Sequence, residues 1–300
     1  MRCRSADLTD FGYWCTTEAV DWRSPDTVAG YLHRLEDGGA AYATIERRKT
    51  AVAKLVEALA VAGRIDPADD PTRHPKVTVA LKAIRRRLGT DQDRATPLTG
   101  ERLIQVLLSI DTTTRAGRRD TALILVGWYG ALRRSELAGI RRDHVTIDDH
   151  GVAVALPRSK GAQDHTVWVP IARQPRSRWN PVGFLEDWLD ELDRSEQTTD
   201  AAGVWMHITR GDTYGRTARP IGDAAVNAIV TKRVFAAGIA DADGYSAHSL
   251  RSGFVTEAKN RGIDEADIMR HTRHKSLQMM RLYDRTTGWW HRNPTDAMSL

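Results

Sequence analysis

Apolar residues in the first ninety positions recur at helical spacing, so this stretch reads as helices only. Asp26 precedes a segment over 27–36 that Gly38-Gly39 brings to a stop. Thr44 is placed to cap a longer helix in which Ile45, Val52, Val56 and Leu59 fall within about 40° of one line at 100° per residue. Arg47 and Lys54 lie on the opposite side. A third helix is predicted over 75–88, with Val77, Leu81, Ile84 and Leu88 as its stripe and Lys82 and Arg86 pointing away. Residues 89–97 (GTDQDRATP) are polar and aperiodic, which marks a linker. Thr99 then caps a helix with Leu103, Val106, Leu107 and Ile110 as apolar positions, and 121–130 follows as a buried helix. The pattern changes at 145. Three β-branched stretches (145–147, 152–156 and 166–171), separated by Asp-Asp-His-Gly and Arg-Ser-Lys-Gly-Ala-Gln-Asp, predict a three-stranded antiparallel meander. Helices return from Pro181 onward, including 223–237, 247–260 and 265–271. The expected fold is mainly α with a small antiparallel β-sheet, in two domains: a helical one over 1–90, a linker over 91–98 and a larger one over 99–300.

Three hundred residues suffice to bury a core in each domain. The longest nearly apolar run, 123–132, is too short to cross a bilayer, and the N-terminus has arginines but no apolar signal segment. No membrane partner is expected. Two cysteines, Cys3 and Cys15, exclude a disulfide framework and a four-cysteine zinc site, so a reducing cytoplasm is the simplest location. The net charge of +5 suits a polyanionic partner, although many unrelated enzymes share so modest an excess. The clusters Arg47-Arg48-Lys49 and Arg85-Arg86-Arg87 sharpen it. Singly such residues are solvated helix faces, but together they suggest a phosphate-facing surface made of Arg47, Arg48, Lys54, Lys82, Arg85 and Arg86.

Motifs narrow the chemistry by elimination. The sequence has no G-x-x-x-x-G-K-[ST] loop, no G-x-G-x-x-G after a strand, no H-E-x-x-H and no G-x-S-x-G. His271 and His274 stand three apart, but no cysteine or acidic ligand set accompanies them, so no metal and no cofactor are expected. What remains is a series of cationic and hydrogen-bonding groups. Arg133 follows the buried helix in Gly-Ala-Leu-Arg-Arg-Ser-Glu-Leu, with Glu136 close behind. Lys160 sits between the second and third strands in Ser-Lys-Gly. His248 and Arg251 are one helical turn apart, and His274 precedes Tyr283 by nine residues. Each has an ordinary reading: a capped helix start, a solvated turn lysine, a half-buried tyrosine. Their combination does not.

In that order these segments closely resemble the tyrosine recombinases, the phage integrase family. Ala-Leu-Arg-Arg-Ser-Glu-Leu resembles the family's first arginine box and Ser-Lys-Gly its β-hairpin lysine. His248-Ser-Leu-Arg251 is similar to its H-x-x-R box, and the His274-to-Tyr283 spacing to its last box. The N-terminal helices, with the Asp66-Pro67 turn and the basic segment 83–88, resemble the core-binding domain. The resemblance implies an all-helical, SAM-like core-binding domain followed by an α+β catalytic domain. It further implies cleavage and rejoining of double-stranded DNA at a specific crossover site through a covalent 3′-phosphotyrosyl link, by a tetramer assembled on DNA. Two departures stand out: Arg273 replaces the usual glycine before the histidine, and Met280 replaces a common threonine. The chain starts almost at the first core-binding helix, so the arm-binding domain of some phage integrases is not expected.

The residue types suit that chemistry. Attack on a phosphodiester accumulates negative charge on the non-bridging oxygens, and Arg133 and Arg251 can grip them with planar paired donors. Such preorganised donors contribute roughly 3–4 kcal/mol each. A phenol such as Tyr283 is only about 0.1% ionised at neutral pH, so the cationic pocket and His248 as proton acceptor are needed. Lys160 is the candidate donor to the leaving 5′-oxygen, and His274 the candidate hydrogen-bond partner of the phosphate. Glu136 is expected to orient Arg133 or its neighbours, since a carboxylate beside the phosphate would repel it. The phosphotyrosyl ester keeps the energy of the broken bond, so neither ATP nor metal is required. Two other readings remain open: a type IB topoisomerase-like relaxing enzyme, and a DNA-binding protein without catalysis. Trp289 and Trp290 belong to a tail that packs either within its own domain or on a neighbouring subunit.

Overall fold

Phe11, Tyr31, Leu32, Ile45, Val52, Val77 and Ile84 meet in one apolar cluster, and the helices that carry them form the first of two units. The computed structural model describes residues 2–89, 95–156, 166–195, 202–214 and 219–274, and the chain divides into Met1–Asp93 and Arg94–Leu300. The first unit contains α1 (Arg2–Thr17), α2 (Pro25–Asp37), α3 (Tyr42–Val61) and α4 (Pro75–Leu88). Helix α1 has a weak apolar stripe: of the side chains described, Phe11 and Cys15 are its fully buried apolar residues, with Leu8 and Trp14 packing beside them partly exposed. Helix α2 starts ahead of the expected position: Ser24, not Asp26, is the cap, accepting from the Asp26 amide with Pro25 in the first turn. Likewise Thr44 does not cap α3, which begins at Tyr42 after Ala41. The stripe of α4 is buried at Val77 and Ile84 but not at Leu88, which lies in the last turn and is 43% exposed.

Charged groups hold α1 to its neighbours. Arg47 pairs with Asp7, and Arg48 pairs with both Asp7 and Asp10. Asp10 also accepts from the buried Tyr31 hydroxyl at 2.7 Å and from Arg34 at 3.0 Å. Burial, together with the bond to Asp10, pushes the Tyr31 phenol up to about 12.

The second unit contains α5 (Gly100–Leu108), α6 (Arg115–Tyr129), α7 (Arg134–Ala138), β1 (Val145–Ile147), β2 (Gly151–Leu156), β3 (Val167–Ala172), α8 (Pro181–Arg194), α9 (Asp223–Ala236), α10 (His248–Asn260) and α11 (Glu265–Thr272). The strands form an antiparallel meander in the order β1-β2-β3, with Gly151 opposite Ala172 and Leu156 opposite Val167. Helix α6 is the centre of the unit, buried along most of its length. It begins six residues before the expected 121. Its first turns carry Arg119 and Asp120, charges that read as a helix end but are buried as a pair at 2.7 Å. Arg233 closes on the other Asp120 oxygen, so the buried carboxylate is fully compensated.

Three buried tryptophans tie this core to main-chain carbonyls. Trp128 donates to the Leu98 carbonyl at 2.8 Å, Trp188 to Val204 at 2.9 Å and Trp205 to Leu137 at 2.8 Å. The last of these fixes α7. Helix α10 is seated by glycine on both sides of its contact with α6 and the segment before α5. A side chain at Gly127 would press on Leu137 and Leu250, and a Cβ at Gly253 would stand 2.0 Å from the Leu98 carbonyl oxygen. Gly253→Ala must therefore push Leu98 away and break the Trp128 bond. We expect a loss of about 2–3 kcal/mol, seen as a lower urea midpoint with an unchanged slope.

Candidate active site

Two helix ends and one helix start converge on a single guanidinium. Arg251, in the first turn of α10, is only 2% exposed. Its Nη1 donates to the Ala131 carbonyl at 2.6 Å and its Nη2 to the Thr272 carbonyl. Ala131 ends α6 in a turn where Leu132 N–H bonds back to Gly127 and Ala131 N–H to Trp128, each at 3.0 Å. That closure needs a left-handed residue, and Ala131 supplies it at φ 44°. Helix α11 ends the same way: His274 N–H returns to the Met269 carbonyl at 3.2 Å, with Arg273 left-handed at φ 59°.

Arg133 is the N-cap residue of α7, and Glu136 lies in that helix's first turn. The Glu136 carboxylate accepts from the Arg133 amide at 2.9 Å, from its guanidinium at 2.6 Å, and from Arg273 Nη2 at 2.9 Å. Burial raises the Glu136 carboxyl, but the Arg133 amide and the two guanidiniums outweigh it and hold it below its ordinary value. The Arg133 side chain remains 46% exposed. Arg273 also reaches the His271 carbonyl at 3.1 Å and the Ala131 carbonyl at 3.4 Å.

His274 is buried. Its Nδ1 lies 2.6 Å from the Thr272 hydroxyl, whose own proton goes to the Ile268 carbonyl at 2.7 Å. The ring therefore carries its proton on Nδ1. Burial first, then the neighbouring Arg251, Arg133, His248 and Arg273, push its pKa down to about 4. His248 is exposed at the start of α10, with Arg251 buried one turn on. The structure thus brings together Arg133, Glu136, His248, Arg251 and His274. His271 instead donates Nε2–H to the Tyr129 carbonyl at 2.7 Å. Lys160, Tyr283, Trp289 and Trp290 lie outside the described residues. Among the described residues, no group of three or more His, Cys, Asp or Glu side chains could hold a metal, and no helix is long and apolar enough to cross a membrane.

The surface residues separate. Lys82, Arg85 and Arg86 are exposed on α4 and form no ion pair among the described residues. Arg47 and Arg48 are held by Asp7 and Asp10, and Lys54 pairs with Glu57. Sequence reasoning missed the roles of Thr272 and the Ala131 carbonyl. Neither could be read from the motifs, because one is a hydroxyl and the other a main-chain oxygen. Arg273 was visible only as a departure from the expected glycine.

Over residues 98–288 the chain matches the phage integrase family. It is 35% identical over 286 residues to the integrase/recombinase xerD homolog of Selenomonas ruminantium, covering 94% of this chain and 80% of that one. It is 29% identical over 255 residues to the tyrosine recombinase XerC of Corynebacterium efficiens, covering 84% and 70%. Among solved structures, the fold resembles the Tn1549 transposon integrase in complex with transposon right end DNA (TM-score 0.61, 15% identity, covering 92% and 86%). It also resembles the XerH site-specific recombinase bound to a palindromic difH substrate (TM-score 0.57, 16% identity, covering 92% and 72%). The chain belongs to the phage integrase family, the tyrosine recombinases. Its reaction class is DNA strand transfer.

The buried ring gives a stability signature. His274 titrates near 4 when folded and near its ordinary 6.5 when unfolded. Above 6.5 neither state binds the proton; below it the unfolded chain binds it first, so stability falls as pH falls. From this ring alone the loss by pH 5 is about 2 kcal/mol. In His274→Gln the drop in urea stability between pH 7.5 and pH 5 should shrink by about that amount.

Proposed function

We propose that the chain recombines double-stranded DNA at a specific crossover site, with Tyr283 as nucleophile and the cluster around Arg251 as its phosphate clamp. The observation that supports this most directly is the convergence of Arg133, His248, Arg251 and His274, drawn from three separate helices and the turns around them. In the reaction the Tyr283 oxygen bonds to phosphorus as the bond to the 5′-oxygen breaks. The phenolic proton passes to His248, which is exposed enough to exchange it onward, and Lys160 protonates the leaving oxygen. Arg251 is anchored by carbonyl oxygens, which orient it without cancelling its charge. Arg133, with half its side chain open, supplies the second guanidinium.

His274 enters differently from a simple phosphate donor. A neutral ring with its proton on Nδ1 can only accept at Nε2. Donation to the phosphate requires the imidazolium, which the negative charge of the bound phosphate favours.

Lys82, Arg85 and Arg86 are the strongest candidates for phosphate contacts in the first unit, because they are exposed and carry no ion pair there. Arg48 serves instead as a tie between α1 and α3. Recombination joins two duplexes, so we take the working form to be a tetramer on DNA, acting in the cytoplasm.

A nicked suicide duplex, drawn from DNA flanking the gene, tests the reading. The protein should form a covalent adduct stable on a denaturing gel, and exchange should yield recombinant rather than merely relaxed products. Tyr283→Phe should abolish the adduct and leave duplex affinity unchanged. Duplex binding without any adduct would instead favour the non-catalytic reading. Lys82→Ala and Arg86→Ala should each weaken binding to all sequences and lower the slope of log affinity against log salt by about 1.

A further inference from the structure

We infer that Arg273 is a positioning residue for strand cleavage, acting through Glu136 and the Ala131 carbonyl to keep the two phosphate-gripping arginines aligned and the carboxylate from offsetting their charge. The inference rests on the recombinase reading and adds to it a residue outside the family's usual pattern.

Its placement is costly. A side-chain-bearing residue in the left-handed region at φ 59° is less stable than glycine by about 1 kcal/mol. The guanidinium is largely buried beside Arg133, and burial together with that neighbour works against its charge. Its Nε–H is buried with no hydrogen-bond partner among the described residues. Glycine, the residue expected here from the family pattern, would avoid all three penalties.

What the side chain gains is a bridge. Nη2 sits 2.9 Å from the Glu136 oxygen that the Arg133 amide also uses. The same nitrogen lies 3.4 Å from the Ala131 carbonyl that holds Arg251. Arg273 is thus a partner of both supports. Without it, one buried carboxylate is left to Arg133 alone. Glu136 would then draw the Arg133 guanidinium inward and offset its charge just where a phosphate gathers negative charge. With it, two guanidiniums share one carboxylate, leaving the excess positive charge that an attacked phosphodiester requires.

The experiment uses the full chain and suicide duplexes tiled from the DNA flanking its gene, reading duplex affinity and the single-turnover rate of adduct formation separately. Arg273→Gly should fold with unchanged duplex affinity and cleave about tenfold more slowly. Arg273→Lys, which keeps the charge, should recover most of that loss. Adding Glu136→Gln to Arg273→Gly should cost little further, because the carboxylate that Arg273 compensates is gone. Three results would overturn the inference: wild-type cleavage by Arg273→Gly, losses that simply multiply in the double variant, or a fall in thermal stability that accounts for the slower rate. If the wild-type chain forms no adduct on any duplex, the recombinase reading fails, and this inference fails with it.

Discussion

A guanidinium cannot be taken out of water without partners, and the arrangement around Arg251 answers that requirement in an unusual way. Its charge is buried almost completely, and main-chain carbonyls at the ends of α6 and α11 accept from both of its terminal nitrogens. A carboxylate would satisfy the donors and neutralise the charge together. Carbonyl dipoles satisfy the donors and leave the charge in place. The position of Arg251 therefore depends on two helix ends stopping where they do. Anything that moves α10, including its glycine-mediated seat against Leu98, moves the centre of the site.

Arg133 is held by the opposite strategy. Its principal partner is Glu136, which fixes the start of α7 through the Arg133 amide and the side chain through an ion pair. This gives precise orientation at the cost of partial neutralisation. The two arginines therefore start from different electrostatic positions, and Arg273 reduces the difference by sharing the carboxylate.

Much of this was legible in the sequence, for identifiable reasons. Helix α4 and the three strands are short segments whose own periodicity and turn residues decide them, so their bounds are close to the pattern. Arg133, His248, Arg251 and His274 were visible because the chemistry restricts residue type at fixed separations. Helix α1 was not visible, because ion pairs from Asp7 and Asp10 replace much of the apolar stripe that would betray it. The early start of α6 was hidden for a related reason: Arg119 and Asp120 look like surface charges until Arg233, more than a hundred residues later, completes their network. Carbonyl acceptors leave no mark in any residue letter. The support of Arg251 therefore emerged only from the geometry.

Both left-handed turns at the site are occupied by residues that pay for their conformation. Ala131 and Arg273 each close a helix end where glycine is the unstrained choice. Strain of this kind persists where surrounding contacts over-determine it. At Ala131 those contacts are on the backbone, whose carbonyl receives two guanidiniums. At Arg273 they are on the side chain, which reaches back to that same carbonyl. The ends of α6 and α11 therefore brace one another across Arg251. A change in either turn is transmitted to the group that both of them hold.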